Sequence, residues 1–169
     1  MSAVRPTVYL DANIISAMYY AGGDRVALAH KVATWEWWEH ERPLFAVVTS
    51  GITEMELADG VYDGQKNAVV TVRRIEYLPD NKDVRRTRDV YLHEAVVPAT
   101  RPADAVHLAF ASVHGVDYLL SWNHSHLANE ETQRKLERVN RRLGWRTPLL
   151  RSPFTIPKAA LGQQIRRRS

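Results

Sequence analysis

Four short runs of almost unbroken apolar residues constrain the fold of this chain more than any other feature: TVYL at 7–10, LFAVVT at 44–49, IEYL at 75–78 and DYLLSW at 117–122. A strand with one wet face alternates apolar and polar side chains. A strand that is apolar nearly throughout is buried on both faces, as in a parallel sheet. The stretches between the runs have helical spacing. DRVALAHKVATWEWWEHE, residues 24–41, is one of them. Lys82 to Val96 puts Val84, Tyr91 and Ala95 on one face. Val106, Ala109, Phe110 and Val113 follow Pro102 at i, i+3, i+4, i+7, and Leu136, Val139 and Leu143 follow Glu130 in the same way. Asp24 and Asn81 are suited to cap helices, Pro102 to a first turn, and Gly60, Gly115 and Gly144 to helix ends. Strands alternating with helices predict an α/β fold with a mostly parallel sheet.

A chain of 169 residues is long enough for one domain with a real core. The expected division is a single domain over 1–155 and a basic C-terminal tail over 156–169. With no cysteine there is no disulfide framework, thiolate metal site or Cys nucleophile. The opening MSAVRPTVYLD has no long apolar run and no segment is long enough to span a bilayer, so the expectation is a cytoplasmic protein without a membrane partner. The net charge of +4 suits a polyanionic partner without demonstrating one. Arg73, Arg74, Arg85, Arg86, Arg88 and the C-terminal arginines are candidate phosphate contacts, and equally solvated helix faces. Trp35, Trp37 and Trp38 read as packing rather than as base-stacking platforms.

In an open α/β sheet, ligands gather beyond the carboxyl ends of the strands. Acids fall at those places here. Asp11 ends the first run. Glu54 and Glu56 follow the second. Asp104 opens the helix that leads into the fourth, which closes on Ser121 and Asn123. Carboxylates gathered at one edge repel unless a cation lies among them. Oxygen ligands without cysteine select a hard ion, Mg2+ or Mn2+, which suits phosphoryl chemistry. Each acid also has a plainer reading: Asp11 as a cap for the helix beginning NIISAMYY, Asp104 as a partner of its helix dipole. Glu54 and Glu56 point to different sides of one helix, and Glu54 is the one that occupies a first turn. His107, one turn after Asp104, is within reach of the site or of a substrate phosphate but reads rather as a packed or solvated helix residue, and His114 as part of a helix end. His124 and His126, two apart in a loop, make a poor zinc pair.

VYLDANIIS, VVTSGITEMELADG and ADAVHLAFASVHGVDYLLSWNHSHLAN together resemble the PIN-domain ribonucleases, the fold of VapC-like toxins of type II toxin–antitoxin modules. The likeness runs from about Thr7 to Leu150 and also takes in WEWWEHE. It implies a three-layer α/β/α domain with four to five strands. It implies cleavage of RNA with the aid of Mg2+ or Mn2+, leaving 5′-phosphate and 3′-hydroxyl ends. By the same likeness Asp11, Glu56 (by its spacing from Gly60) and Asp104 are the metal-binding acids, with Ser121 and Asn123 as further catalytic positions. Asn13 often has a polar counterpart, and also reads as a turn residue. Asn123 stands where many members have a fourth acid; its amide brings no charge, which bears on a second ion rather than the first. A homodimer and a small antitoxin protein are the partners implied. Two readings of other classes stay open: a catalytically weak or inactive module that binds RNA or protein, and a DNA nuclease or phosphatase built on the same acids.

Overall fold

The computed structural model describes residues 4–158. The expected tail lies outside the described residues from position 159 onward, C-terminal arginines included. Ile156, at the start of that segment, is buried against the core.

Five strands, β1 (Thr7–Leu10), β2 (Ala46–Thr49), β3 (Glu76–Tyr77), β4 (Tyr118–Leu120) and β5 (Leu149–Arg151), form one sheet in the order β3-β2-β1-β4-β5. Every pairing is parallel. The apolar runs are explained by burial on both sides. Tyr9 and Leu119 face one core cluster with Leu108, Phe110, Leu136 and Val139. Val8, Leu10 and Leu120 face a second, with Ile14, Ile15, Leu57 and Val72. Alternate side chains of a strand point to opposite faces, so a strand between two helical layers is apolar at every position.

The first layer is built from α5 (Lys82–His93), α6 (Pro102–Val113) and α7 (Glu130–Leu143). The second is built from α1 (Ala12–Met18), α2 (Arg25–Glu36), α3 (Gly51–Asp59) and α4 (Gln65–Val72). The protein is thus a three-layer α/β/α domain. Among the described residues no helix is long and apolar enough to cross a membrane.

Local signals account for most boundaries. Asp24 accepts a hydrogen bond from the Ala27 amide, and Asn81 from those of Asp83 and Val84, so both cap their helices. Gly115 and Gly144 take the left-handed backbone of helix ends, at φ 64° and 78°. Gly60 ends α3 in an extended conformation instead. Three elements differ from expectation. The segment 24–41 is not one helix: α2 gives way to a π turn over Trp37–Glu41 and then to a 3-10 turn. There Trp37 is buried, Trp35 donates to the Met18 carbonyl, and Arg42 covers the Trp38 ring at 4.4 Å. Ala95 lies beyond α5 with φ 50°, so Val84, Thr87 and Tyr91 form the buried face of that helix. Helix α4 had no clear periodicity to announce it.

The strand order makes β1 the switch point, with β2 and β3 on one side and β4 and β5 on the other. Side chains pin the β1–β4 seam at both ends. Asp117 accepts from the Thr7 amide at 2.7 Å and hydroxyl at 3.0 Å, before the two strands run in register from Val8↔Tyr118 to Leu10↔Leu120. Asn13 accepts from the Trp122 amide at 2.9 Å beyond them. One consequence concerns Gly144. A Cβ placed there meets nothing within 4 Å, so its cost is backbone strain alone. Gly144→Ala is expected to lower unfolding free energy by about 1–2 kcal/mol, and Gly144→Asn by less, in urea denaturation.

Candidate active site

A cleft of about 690 Å³ opens beyond the carboxyl ends of β1 and β4, at the switch point of the sheet. Asp11 follows β1 directly and sits at its floor, 5% exposed. It occupies the N-cap position of α1, yet its side chain caps nothing. Instead Oδ2 accepts from the Ser121 hydroxyl at 2.7 Å and from Asn13 Nδ2 at 2.8 Å. Ser121 in turn accepts from Asn13 Nδ2 and the Asn123 amide, each at 3.0 Å. The carboxylate is therefore held by groups from both sides of the β1–β4 seam, and the capping reading of Asp11 does not describe it.

The helical phase of α3 separates its two glutamates. Glu54 turns outward to Arg73 at 2.6 Å and the Tyr77 hydroxyl at 2.8 Å, outside the cleft lining. The Arg73 hydrogen bond, followed by that of Tyr77, lowers its pKa. Glu56 lines the cleft. Its Oε2 lies 2.8 Å from Nε2 of His107, and the same Nε2 is 3.6 Å from Asp11 Oδ1. Asp104, in the first turn of α6, lines the cleft and is 8% exposed. Its Oδ2 accepts from Asn123 Nδ2 and from Arg101 Nε, both at 3.2 Å. Burial raises the pKa of Asp104; Arg101 opposes the shift and Asp11 adds to it. Four of the five expected positions, Asp11, Glu56, Asp104 and Asn123, line the cleft, and the fifth, Ser121, is buried beneath it and bonded to Asp11.

His107 is the central residue to which the sequence reading gave no place in the site. It is 1% exposed and lies where a packed residue was expected, but its ring bridges polar groups. Nδ1 is 2.7 Å from the Tyr9 hydroxyl, which is itself 2.7 Å from Ser50 Oγ. Burial opposes charge on the ring, yet the Tyr9 hydroxyl, Asp11 and Glu56 outweigh it and hold the pKa well above 6.5. The available signal was its position one turn after Asp104 on a helix leading into the site. The sequence reading also missed Asp59, an exposed acid of the cleft, and Arg101 at its rim.

The side chains fit a divalent cation. Ligand atoms of Asp11, Glu56 and His107 lie within 4.8 Å of one another, and Asp104 lines the same cleft. Carboxylate oxygens suit Mg2+ and Mn2+, and a nitrogen donor favours the transition ion of the two. Asn123 is less suited to a second ion, because its amide is already engaged: Oδ1 accepts from the His126 amide at 3.1 Å while Nδ2 faces Asp104. His124 and His126 form no metal cluster among the described residues.

Without a divalent ion, the raised pKa of His107 favours an imidazolium, which would balance Asp11 and Glu56. A raised pKa contributes stability that is fully present below the ordinary value of 6.5 and is lost as pH rises through the elevated one. Nitrogen NMR in EDTA is expected to find both ring nitrogens of His107 protonated at pH values where exposed histidines are neutral. A neutral ring at pH 7 would contradict this balance.

Comparison of the chain with known protein families, with curated proteins and with solved structures finds no match. The case for what the site does therefore rests on its chemistry and on the sequence resemblance.

Proposed function

We propose that the protein is a divalent-metal-dependent endoribonuclease of the PIN type, related to VapC-like toxins, that hydrolyses RNA phosphodiester bonds. The observation that carries this reading is the convergence of three acids, distant in sequence, in one cleft at the sheet's switch point. Ordinary structural roles do not account for two of them: Asp11 does not cap α1, and Glu56 has left the outward face that Glu54 occupies. Asp11, Glu56 and Asp104 would hold Mg2+ or Mn2+, with His107 Nε2 adjoining the first two. What the ion supplies when bound is Lewis acidity toward a phosphate oxygen and toward a water.

The rest is work for the protein's own groups. Ser121 and Asn13 fix the Asp11 carboxylate by donating to one of its oxygens, leaving Oδ1 toward His107. Tyr9 fixes the plane of the His107 ring from the core side. Asn123 orients Asp104 through Oδ2. The buried floor keeps bulk water from screening these charges, while the open cleft admits a chain substrate. Glu56, the least buried of the acids around His107, is placed to accept a proton from an attacking water at the cleft surface.

The test is cleavage of single-stranded and structured RNA, with DNA and a small phosphate ester in parallel. Wild-type protein is expected to cut RNA with Mg2+ or Mn2+ and to stop in EDTA. Asp11→Asn and Asp104→Asn are expected to lose about 100-fold or more, since the ion contributes several kcal/mol to the transition state. Glu54→Gln is expected to retain activity while Glu56→Gln loses it. Ser121→Ala, which removes a support rather than a ligand, is expected to weaken metal binding by about 10- to 100-fold. Unchanged cleavage by both aspartate variants would remove the mechanism. Binding of RNA without cleavage would favour the inactive binding module.

A further inference from the structure

Among the described residues four acids line the cleft, Asp11, Glu56, Asp59 and Asp104, against one cation, Arg101. A phosphodiester approaching such a lining meets net negative charge, and one divalent ion offsets only part of it. Arg101 stands at the N-cap of α6, three residues before Asp104, with 46% of its side chain exposed. Among the described residues it makes one side-chain hydrogen bond, through Nε to Asp104 Oδ2, at a long 3.2 Å. Within those residues its two terminal nitrogens form none. Asp104 is buried while the guanidinium is half-exposed, and this single contact leaves the outer end of the guanidinium without a partner among the described residues. Its backbone position, in contrast, is fixed, because the Arg101 amide donates to the Pro98 carbonyl at 2.9 Å and Pro102 follows it into the helix.

From this placement we infer that Arg101 binds the substrate's phosphate. The terminal nitrogens of its guanidinium take the non-bridging oxygens of a phosphodiester at the cleft rim, beside the acids that hold the ion. The inference rests on the nuclease reading and adds to it the residue that offsets the cleft's repulsion of a polyanion. Arginine suits the task because its planar fork presents two parallel donors to a phosphate, which an ammonium group does not. The competing role is that Arg101 only holds Asp104 in position. That role gives the terminal nitrogens no function and predicts a different outcome.

The test uses Arg101→Met and Arg101→Lys in the full chain. In a Glu56→Gln background, to stop cleavage, anisotropy follows binding of a short fluorescein-labelled single-stranded RNA and of the same sequence with uncharged methylphosphonate linkages. In parallel, electron paramagnetic resonance follows Mn2+ binding to proteins that keep Glu56. Arg101→Met is expected to weaken phosphodiester binding by about tenfold or more. It is expected to reduce the salt slope of binding by about one and to leave methylphosphonate binding and Mn2+ affinity unchanged. Arg101→Lys is expected to recover part of the loss. Undiminished binding of the phosphodiester overturns the inference. So does an equal loss on both RNAs, or weakened Mn2+ binding, since either means that Arg101 acts through the cleft's shape or through Asp104. In those cases a parent protein that cleaves RNA leaves the nuclease reading standing. A parent that neither binds nor cleaves RNA removes both.

Discussion

The carboxylate of Asp11 is the constraint around which the site is organised. It lies at the end of the central strand, nearly out of reach of solvent, and a buried carboxylate without partners costs several kcal/mol. Three elements combine to offset that cost. The residue after β4 donates a hydroxyl, α1 donates an amide, and α6 brings an imidazole whose pKa its surroundings raise. Those same contacts align the carboxyl ends of β1 and β4, so fold and site are stabilised by one network. The core beneath it continues the chain of contacts, from His107 to Tyr9 and on to Ser50 at the start of α3.

Charge balance then explains the layout of the cleft. The floor pairs Asp11 and Glu56 with His107, and the rim pairs Asp104 with Arg101. The imidazole adjoins the two acids that would share a divalent cation, and the guanidinium lies where a phosphate would approach. On the proposed function, the ion would offset the excess of acids over cations in the cleft, and Arg101 would meet the negative charge that the substrate brings. The amide of Asn123 fits the same economy, orienting Asp104 without adding a further negative charge.

The architecture was legible because the sheet is buried on both faces. TVYL and DYLLSW are apolar at consecutive positions for a reason that physics dictates, and their ends mark the sheet edge where Asp11 and Ser121 emerge. The glutamate of the site was not legible from helix rules alone. First-turn preference points to Glu54, but the tertiary partners Arg73 and Tyr77 claim that side chain, and only the PIN-domain resemblance, through the register set by Gly60, singled out Glu56. His107 was obscured because a lone histidine among AVHLAF reads as packing, and nothing local reveals that Glu56 and Tyr9 lie opposite it. Helix α4, with its valines and threonine in QKNAVVTV, has weak helical propensity and is held by tertiary packing of Ala68 and Val72. The tryptophan-rich run before β2 hid the π turn, since its composition is that of a continuing helix.

The central claim is that Asp11, Glu56 and Asp104 capture one divalent cation. A crystal grown with Mn2+ and measured near the manganese absorption edge tests it most directly. The account predicts a single anomalous peak in the cleft, within coordination distance of Asp11 and Glu56 and adjoining Asp104. A cleft without anomalous density at millimolar Mn2+, with His107 still bonded to Glu56 and beside Asp11, would contradict it.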